Sequence, residues 1–310
     1  MSKIIRVEKS ESGTRLDVLL AGKLAGISRS RIQKAIKDGH VLINKETVTP
    51  HIAVREDDEI GLEMDAVEPP KQTRLVPRPD ISLVVVHEDA DIVVVDKPTG
   101  LLVHPSVREE NDTLANALIA RYPEMATVGE SWERPGIMHR LDKDASGLLV
   151  MARNKKAYLS LKRQFQRHTI KKIYQVLVHD RPPKDAGTVD LAIGRAGSGT
   201  HMTARPQPLA GDKTAVTHYS VDELFGSAAL LTVWTETGRT HQIRAHFKAL
   251  GCPVAGDPLY KMKRGPSLPV PRLFLHAKTL GFTHPVTRKK MEFQSPLPAD
   301  LREALARLKK

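Results

Sequence analysis

The sequence predicts an α+β fold in two unequal parts, and three observations carry that prediction. Beyond residue 80, the strand and helix patterns follow the order β, β, α, β, α, β, β, β, α, which is not a βαβα alternation. Several strands are short β-branched runs separated by tight polar turns, as antiparallel pairing requires. A proline-rich tract, residues 66–80, interrupts the chain with Pro69, Pro70, Pro77 and Pro79. Proline removes backbone donors and fixes φ, so this tract is expected to be neither helix nor central strand. The expected organisation is a small α/β domain over 1–65, a linker over 66–80 and a larger domain over 81–310. The larger domain should be built on a mostly antiparallel, mixed β-sheet.

In the first domain, Leu16, Leu19, Leu20 and Leu24 fall at helical spacing within residues 14–25. Gly26 is placed to end that helix and Ser28 to cap the next. The second helix, residues 29–38, sets Ile32, Ala35 and Ile36 on one face, and Gly39 stops it. Val41-Leu42-Ile43-Asn44 reads as a strand leading into a turn at Lys45-Glu46. Between Lys23 and Lys45 there are six basic residues against one acid, Asp38, whereas 56–68 is acidic. Only the second helix is therefore a candidate polyanion face, and a solvated helix face remains the open alternative.

In the second domain, Leu83-Val84-Val85-Val86 and Ile92-Val93-Val94-Val95 flank a polar turn and predict a hairpin. Residues 112–121 predict a helix capped by Asp112 or Thr113. Residues 147–152 predict a buried strand and 154–167 a helix. Strands follow at 173–178, 214–221 and 229–236, then a helix at about 240–250. The stretch Gly194-Arg195-Ala196-Gly197-Ser198-Gly199 lacks a phosphate-loop Lys-Ser/Thr and reads as a flexible loop.

Composition narrows the function. The 310 residues carry a net charge of +12, which favours a polyanionic partner, nucleic acid being the commonest. A membrane surface would call for a basic amphipathic helix with exposed Trp, Phe and Leu, but aromatics are only 4%. No stretch approaches the roughly 18 apolar residues of a membrane span. A single cysteine, Cys252, allows no disulfide framework, and the N-terminal segment has no apolar run of signal-peptide length. A cytoplasmic protein is expected.

Candidate chemistry concentrates in residues 139–144, where five of six residues are ionisable and an apolar strand follows at once. Loops held by rigid strands are where reactive side chains tend to sit. A polar loop closed by its own salt bridges is the open alternative. Metal binding is disfavoured, because Arg140 and Lys143 are interleaved among His139, Asp142 and Asp144. His241 and His246, five apart, lie about 140° apart around a helix axis instead of on one face. No nucleophile elbow or cofactor fingerprint is present, so no cofactor is expected. What remains is carboxylate chemistry at Asp142, with Arg140 and Arg244 as its cations. Residues 152–173 add Arg153, Lys155, Lys156, Lys162, Arg163, Arg167, Lys171 and Lys172 without one acid, which suggests phosphate contact.

These residues also carry a resemblance. His139-Arg140-Leu141-Asp142-Lys143-Asp144-x-Ser146-Gly147-Leu148-Leu149-Val150 resembles the central motif of the RluA family of pseudouridine synthases. Further matches fall in family order: Val94-Val95-Asp96-Lys97-Pro98-x-Gly100, Lys172-x-Tyr174, Gly238-Arg239-Thr240-His241-Gln242-Ile243-Arg244-x-His246, Gly256-Asp257-x-Leu259-Tyr260 and Leu275-His276-Ala277. Two departures stand out: Ala145 in place of Thr or Ser, and Val178-His179-Asp180 in place of a Val-x-Gly ending. Arg15-Leu16-Asp17, Ser28-Arg29-Ser30 and Gly39-x-Val41-x-Ile43-Asn44 resemble the small RNA-binding domain named after a small-subunit ribosomal protein.

The resemblance implies a pseudouridine synthase fold and an isomerase that turns uridine into pseudouridine without a cofactor. It implies that Asp142 assists uracil release at the ribose C1′, with Tyr174 stacking on the base and helping to take the C5 proton. It further implies that Arg244 pairs with Asp142. Arg140 would fill the space left by a base taken out of its stack, and Leu275 would pack beneath the uracil. Arg29, Arg31, Lys34, Lys155, Lys162 and Arg163 are the expected RNA contacts. An appended N-terminal RNA-binding domain and the Arg134-Pro135-Gly136-Ile137 lead-in most resemble the RluD-type branch, which implies 23S ribosomal RNA as substrate; a monomer is expected. Transfer RNA, and a non-catalytic RNA-binding role in ribosome assembly, are the alternatives.

Overall fold

The structure is a computed structural model; it describes residues 2–24, 27, 29–67, 75–105, 111–197, 201–262 and 268–309. The chain divides into two compact units, Met1–Arg74 and Leu75–Lys310.

The first unit contains β1 (Ser2–Arg6), α1 (Leu16–Lys23), α2 (Arg29–Lys37), β2 (Val41–Ile43), β3 (Glu46–Thr47), β4 (Glu59–Glu63) and α3 (Met64–Val67). Its sheet is antiparallel in the order β1-β4-β2-β3. Leu16, Leu20, Ile32 and Ile36 from the two helices meet Ile60 and Leu62 of β4 in one core. Asn44 and Lys45, both at positive φ, form the tight turn between β2 and β3. The hairpin therefore includes Glu46 as strand, one residue earlier than a turn at Lys45-Glu46 implies. Strands β1 and β4 were not anticipated, although Glu59-Ile60-Gly61-Leu62-Glu63 in β4 alternates and its burial follows that alternation. Gly26 and Ser28 lie outside the described residues.

The tract 66–80 needs a correction at both ends. Helix α3 runs through Val67, which is fully buried. Leu75 packs into the second unit's core, and Asn116 Nδ2 donates to the Val76 carbonyl. Prolines 69 and 70 lie outside the described residues.

The second unit contains β5 (Val84–Glu88), β6 (Ile92–Lys97), α4 (Leu114–Arg121), β7 (Ser146–Ala152), α5 (Lys155–Gln166), β8 (Lys171–His179), β9 (Ala186–Asp190), β10 (Ala192–Arg195) and β11 (Met202–Arg205). It continues with β12 (Val216–Phe225), β13 (Ala228–Thr235), α6 (Gln242–Ala249), β14 (Leu275–Thr283), β15 (Lys290–Gln294) and α7 (Ala299–Leu308). Nine strands form one sheet in the order β5-β6-β7-β14-β8-β13-β12-β9, with β15 on β14. Every pairing is antiparallel except β7 with β14. On one face Val95, Leu149, Val176 and Val233 pack against Leu118 of α4 and Phe247 of α6. On the other, Val94 and Val150 pack on Leu161 of α5, and Leu177 and Leu230 on Leu301 of α7. Coverage of both faces explains why β6 and β7 are continuous apolar runs.

Thr113 caps α4 and Asn154 caps α5, each accepting from a backbone N–H three residues on. Residues 192–195 correct the flexible-loop reading of the glycine stretch: they are strand β10, paired with β11. Gly194 is small for a packing reason, since an added Cβ would lie 1.5 Å from the Asp212 carboxylate. Ser198 and Gly199 lie outside the described residues.

Candidate active site

The parallel junction of β7 and β14 places the central motif. Gly147 has φ +115°, and an added Cβ would lie 2.4 Å from the Ala277 carbonyl oxygen. Only glycine lets the two backbones approach this closely. Ser146 Oγ and His276 Nδ1 lie 3.0 Å apart across the same junction, and both residues are buried.

The loop that carries Asp142 ends at this junction and is clamped from the β6 side. Lys97 is 1% exposed, and its Nζ donates to the carbonyls of Pro98, Leu101 and Lys143 at 2.8, 2.8 and 3.0 Å. All three ammonium protons are thereby satisfied. Gly100 N also donates to Lys143 O, and Thr99 Oγ1 to Asp144 O. Burial pushes the Lys97 ammonium down, against the opposing charges of Asp142 and Asp144. On the strand side, His139 Nε2 accepts from Val150 N at 3.0 Å. Burial, helped by the charge of Lys172, takes His139 down to about 3, so it is neutral and shapes the loop.

Arg244 comes from the first turn of α6 and is 3% exposed. Its Nη1 donates to Asp142 Oδ2 at 3.0 Å. Its Nε and Nη2 donate to the two oxygens of Asp257 at 2.6 and 2.8 Å. Asp257 Oδ1 also accepts from the backbone N–H groups of Leu259 and Tyr260. Burial would raise the Asp257 carboxyl, but the Arg244 hydrogen bonds hold it below its usual value. One guanidinium thus bridges two carboxylates, one buried behind it and one at the cleft. Gly256, at φ +71°, lets the backbone before Asp257 pass close to that of Arg272, whose carbonyl oxygen would lie 2.0 Å from an added Cβ.

The cleft is about 850 Å³ and is lined by Asp142, Arg140, Tyr174, Arg244, Leu275 and Lys162 among others. Tyr174 is on β8, where burial pushes its hydroxyl up to about 12, with Thr235 as hydrogen-bond partner. Leu275, at the start of β14, is 5% exposed. Arg140 Nη1 lies 3.2 Å from His104 Nε2. His241 precedes α6 in the left-handed region, with Nδ1 3.2 Å from the Tyr260 hydroxyl. His246 faces away, onto Thr217 Oγ1 and the Leu191 carbonyl, so the two histidines share no site.

The other proposed RNA contacts scatter more widely. Lys162 lines the cleft but pairs with Glu130. Lys155 and Arg163 are exposed on α5 away from the cleft lining, and Arg163 Nε donates to Leu159 O. In the first unit Arg29 and Arg15 both pair with buried Asp17, Arg31 Nε donates to Val67 O, and Lys34 is exposed. The acid-free stretch 152–173 is partly neutralised from elsewhere: Arg153 by Glu124 and Lys171 by Glu292.

Sequence reasoning assigned no role to Asp257 or Lys97, although both sit in quoted motifs. A buried acid 13 residues from an arginine, beside a glycine, was the available signal for Asp257. Among the described residues, Asp89, Asp91 and His284 bring possible metal-ligand atoms within 4.8 Å. His284 Nδ1 accepts from Val286 N and Thr287 N, so its Nε2–H donates to Asp89 and neither nitrogen offers a lone pair.

Residues 91–249 match the RNA pseudouridylate synthase family, and residues 14–60 match the S4 domain. A protein of Chloroflexus aurantiacus described as an uncharacterized RNA pseudouridine synthase is 44% identical over 306 residues, 99% of this chain and 93% of its own length. The ribosomal large subunit pseudouridine synthase D of Pseudomonas aeruginosa is 38% identical over 299 residues, 93% of this chain and 90% of its own. Among solved structures, human RNA pseudouridylate synthase domain containing 1 superposes with a TM-score of 0.55 at 27% identity, covering 74% of this chain and 95% of its own. With the motif loop, the mixed sheet and these relatives in agreement, the chain belongs to the RNA pseudouridylate synthase family and is an isomerase that acts on RNA.

Proposed function

We propose that the protein isomerises uridine in the 23S ribosomal RNA of the large subunit, with Asp142 as its essential carboxylate. The observation that carries the assignment is the bridge from Asp142 through buried Arg244 to buried Asp257. It fixes one carboxylate at the cleft surface, where its side chain is 15% exposed. The C1′–N1 bond breaks with assistance from Asp142, the uracil turns, and a C1′–C5 bond forms. The proton lost from C5 is balanced by one gained at N1, so there is no net redox change. A uracil anion is stabilised by its two carbonyls, which makes one carboxylate sufficient where alkoxide leaving groups need two.

Tyr174 stacks on the base, Leu275 packs beneath it, and Arg140 enters the space the base vacates. Arg29, Arg31, Lys34, Lys155, Lys162 and Arg163 meet the RNA outside the reacting nucleotide. Likeness to the Pseudomonas enzyme named for the large ribosomal subunit, together with the S4 domain, supports ribosomal over transfer RNA. The units Met1–Arg74 and Leu75–Lys310 are the proposed RNA-binding and catalytic domains. Action as a monomer in the cytoplasm belongs to the same proposal.

The test is tritium release from RNA carrying C5-tritiated uridine. Release from 23S ribosomal RNA, lost in Asp142→Ala while RNA binding persists, is the expected result. Release from transfer RNA alone would overturn the substrate, and release by Asp142→Ala would overturn the assignment of the carboxylate.

A further inference from the structure

Of the cations in 152–173, Lys172 lines the cleft without a carboxylate partner among the described residues. Arg153, Lys162 and Lys171 each find a carboxylate from a distant segment. Lys172 donates to one carbonyl, Thr237 O, at 3.3 Å, and no ion pair joins it among the described residues. Burial alone takes its ammonium down to about 8. An ammonium withdrawn from water without a counter-ion costs stability and contributes nothing to packing that an uncharged side chain would not.

Its position supplies the missing anion. Lys172 and Tyr174 are two residues apart on β8, so they share one face, about 6.8 Å apart along the strand. Both line the cleft that holds Asp142. His139, the neighbouring titratable group, is neutral, and Lys172 is the cation that β8 contributes to the cleft lining. A nucleotide whose base lies on Tyr174 carries its phosphate just across the ribose. We propose that Lys172 is a phosphate-binding residue whose ammonium receives the phosphodiester of the nucleotide seated against Tyr174. The proposal rests on the reading of this cleft as the uridine site.

The experiment measures the affinity of a 23S ribosomal RNA transcript against salt concentration. The proteins are Asp142→Ala, which binds without turnover, and the same protein with Lys172→Gln or Lys172→Arg added. One phosphate contact contributes about 0.7 to 0.9 to the slope of log K against log salt. Lys172→Gln is expected to flatten the slope by that amount and to weaken binding by about tenfold. Lys172→Arg is expected to restore both. Lys172→Gln should melt no lower than its parent, because it removes a half-buried charge that has no counter-ion among the described residues. An unchanged slope in Lys172→Gln would overturn the proposal, and a lower melting temperature beside it would mark Lys172 as structural. Failure of wild-type protein to release tritium from ribosomal RNA would instead sink the uridine assignment, with the salt slope still deciding phosphate contact.

Discussion

Asp257→Asn should separate chemistry from binding. Asp257 is 6% exposed, does not line the cleft, and holds two of the three Arg244 hydrogen bonds described above. Asparagine keeps the shape but removes the charge, and its amide sets a donor against the arginine's own N–H groups. Breaking one side of a buried ion pair costs about 3–5 kcal/mol of stability. Asparagine retains one acceptor oxygen, so the lower end, about 3 kcal/mol, is expected. A domain stable by roughly 5–15 kcal/mol survives that loss.

Arg244 is then left with Asp142 as its only carboxylate and is drawn toward it. A displacement of about 1 Å at a reacting centre costs about 100-fold in rate. The predicted result is a kcat about 100-fold lower in tritium release, with RNA affinity within about threefold of wild type. Asp257→Glu, which keeps the charge, should recover part of the rate. A folded Asp257→Asn protein with kcat within threefold of wild type would refute the argument, since Arg244 would then be positioned without its buried partner.

Three further outcomes follow from the geometry. Tyr174→Phe keeps the stacking face and should bind RNA normally, but lose about 100-fold in kcat if its hydroxyl handles the C5 proton; Tyr174→Ala should also weaken capture of the base by about 1–3 kcal/mol. His139 stays neutral down to about pH 3, whereas an unfolded histidine takes a proton near 6.5. The unfolded state therefore binds more protons below 6.5, and stability falls as pH falls from there toward 3. In His139→Gln, the drop in unfolding free energy between pH 7 and pH 5, measured in urea, should be smaller than in wild type. Gly147→Ala should destabilise by about 3 kcal/mol or more, because φ is positive and the Cβ meets backbone and not a flexible side chain.

Local pattern located the elements that carry their own signal. The four valine and isoleucine residues of β6, the cap at Thr113, and the apolar run of β7 fall where the sequence puts them. Strands β14 and β15 were missed because β14 is recognised only by its partners. One edge is shared between β7, parallel at 276–277, and β15, antiparallel at 279–283, while β8 takes the other edge. Nothing within residues 275–283 states that arrangement. Helix α7 was missed although its signal is local: Leu301, Ala304, Leu305 and Leu308 fall at helical spacing and pack on Leu177 and Leu230. The motifs found Asp142, Tyr174 and Arg244, and the fold brings all three to one cleft. The motifs were silent on Asp257, because its role is a bond to a side chain and not a feature of its own segment.

Charge was the least local property of all. The stretch 152–173 holds eight cations and no acid, and read alone it looks like a row of phosphate contacts. Folding brings Glu124, Glu130 and Glu292 to three of those cations, and exposed pairs of this kind contribute little to stability. They do lower the field that the stretch presents to RNA. In the first unit, Asp17 does the same for Arg15 and Arg29. Counting cations in a window therefore overstates the binding surface, and the cation that matters is one the fold both leaves without an acid and draws into the cleft. By that criterion Lys172, half-buried in the cleft and only one member of the original row, ranks above Lys155 and Arg163, which are exposed and do not line the cleft. Mutating those two should shift the salt slope less than mutating Lys172 alone.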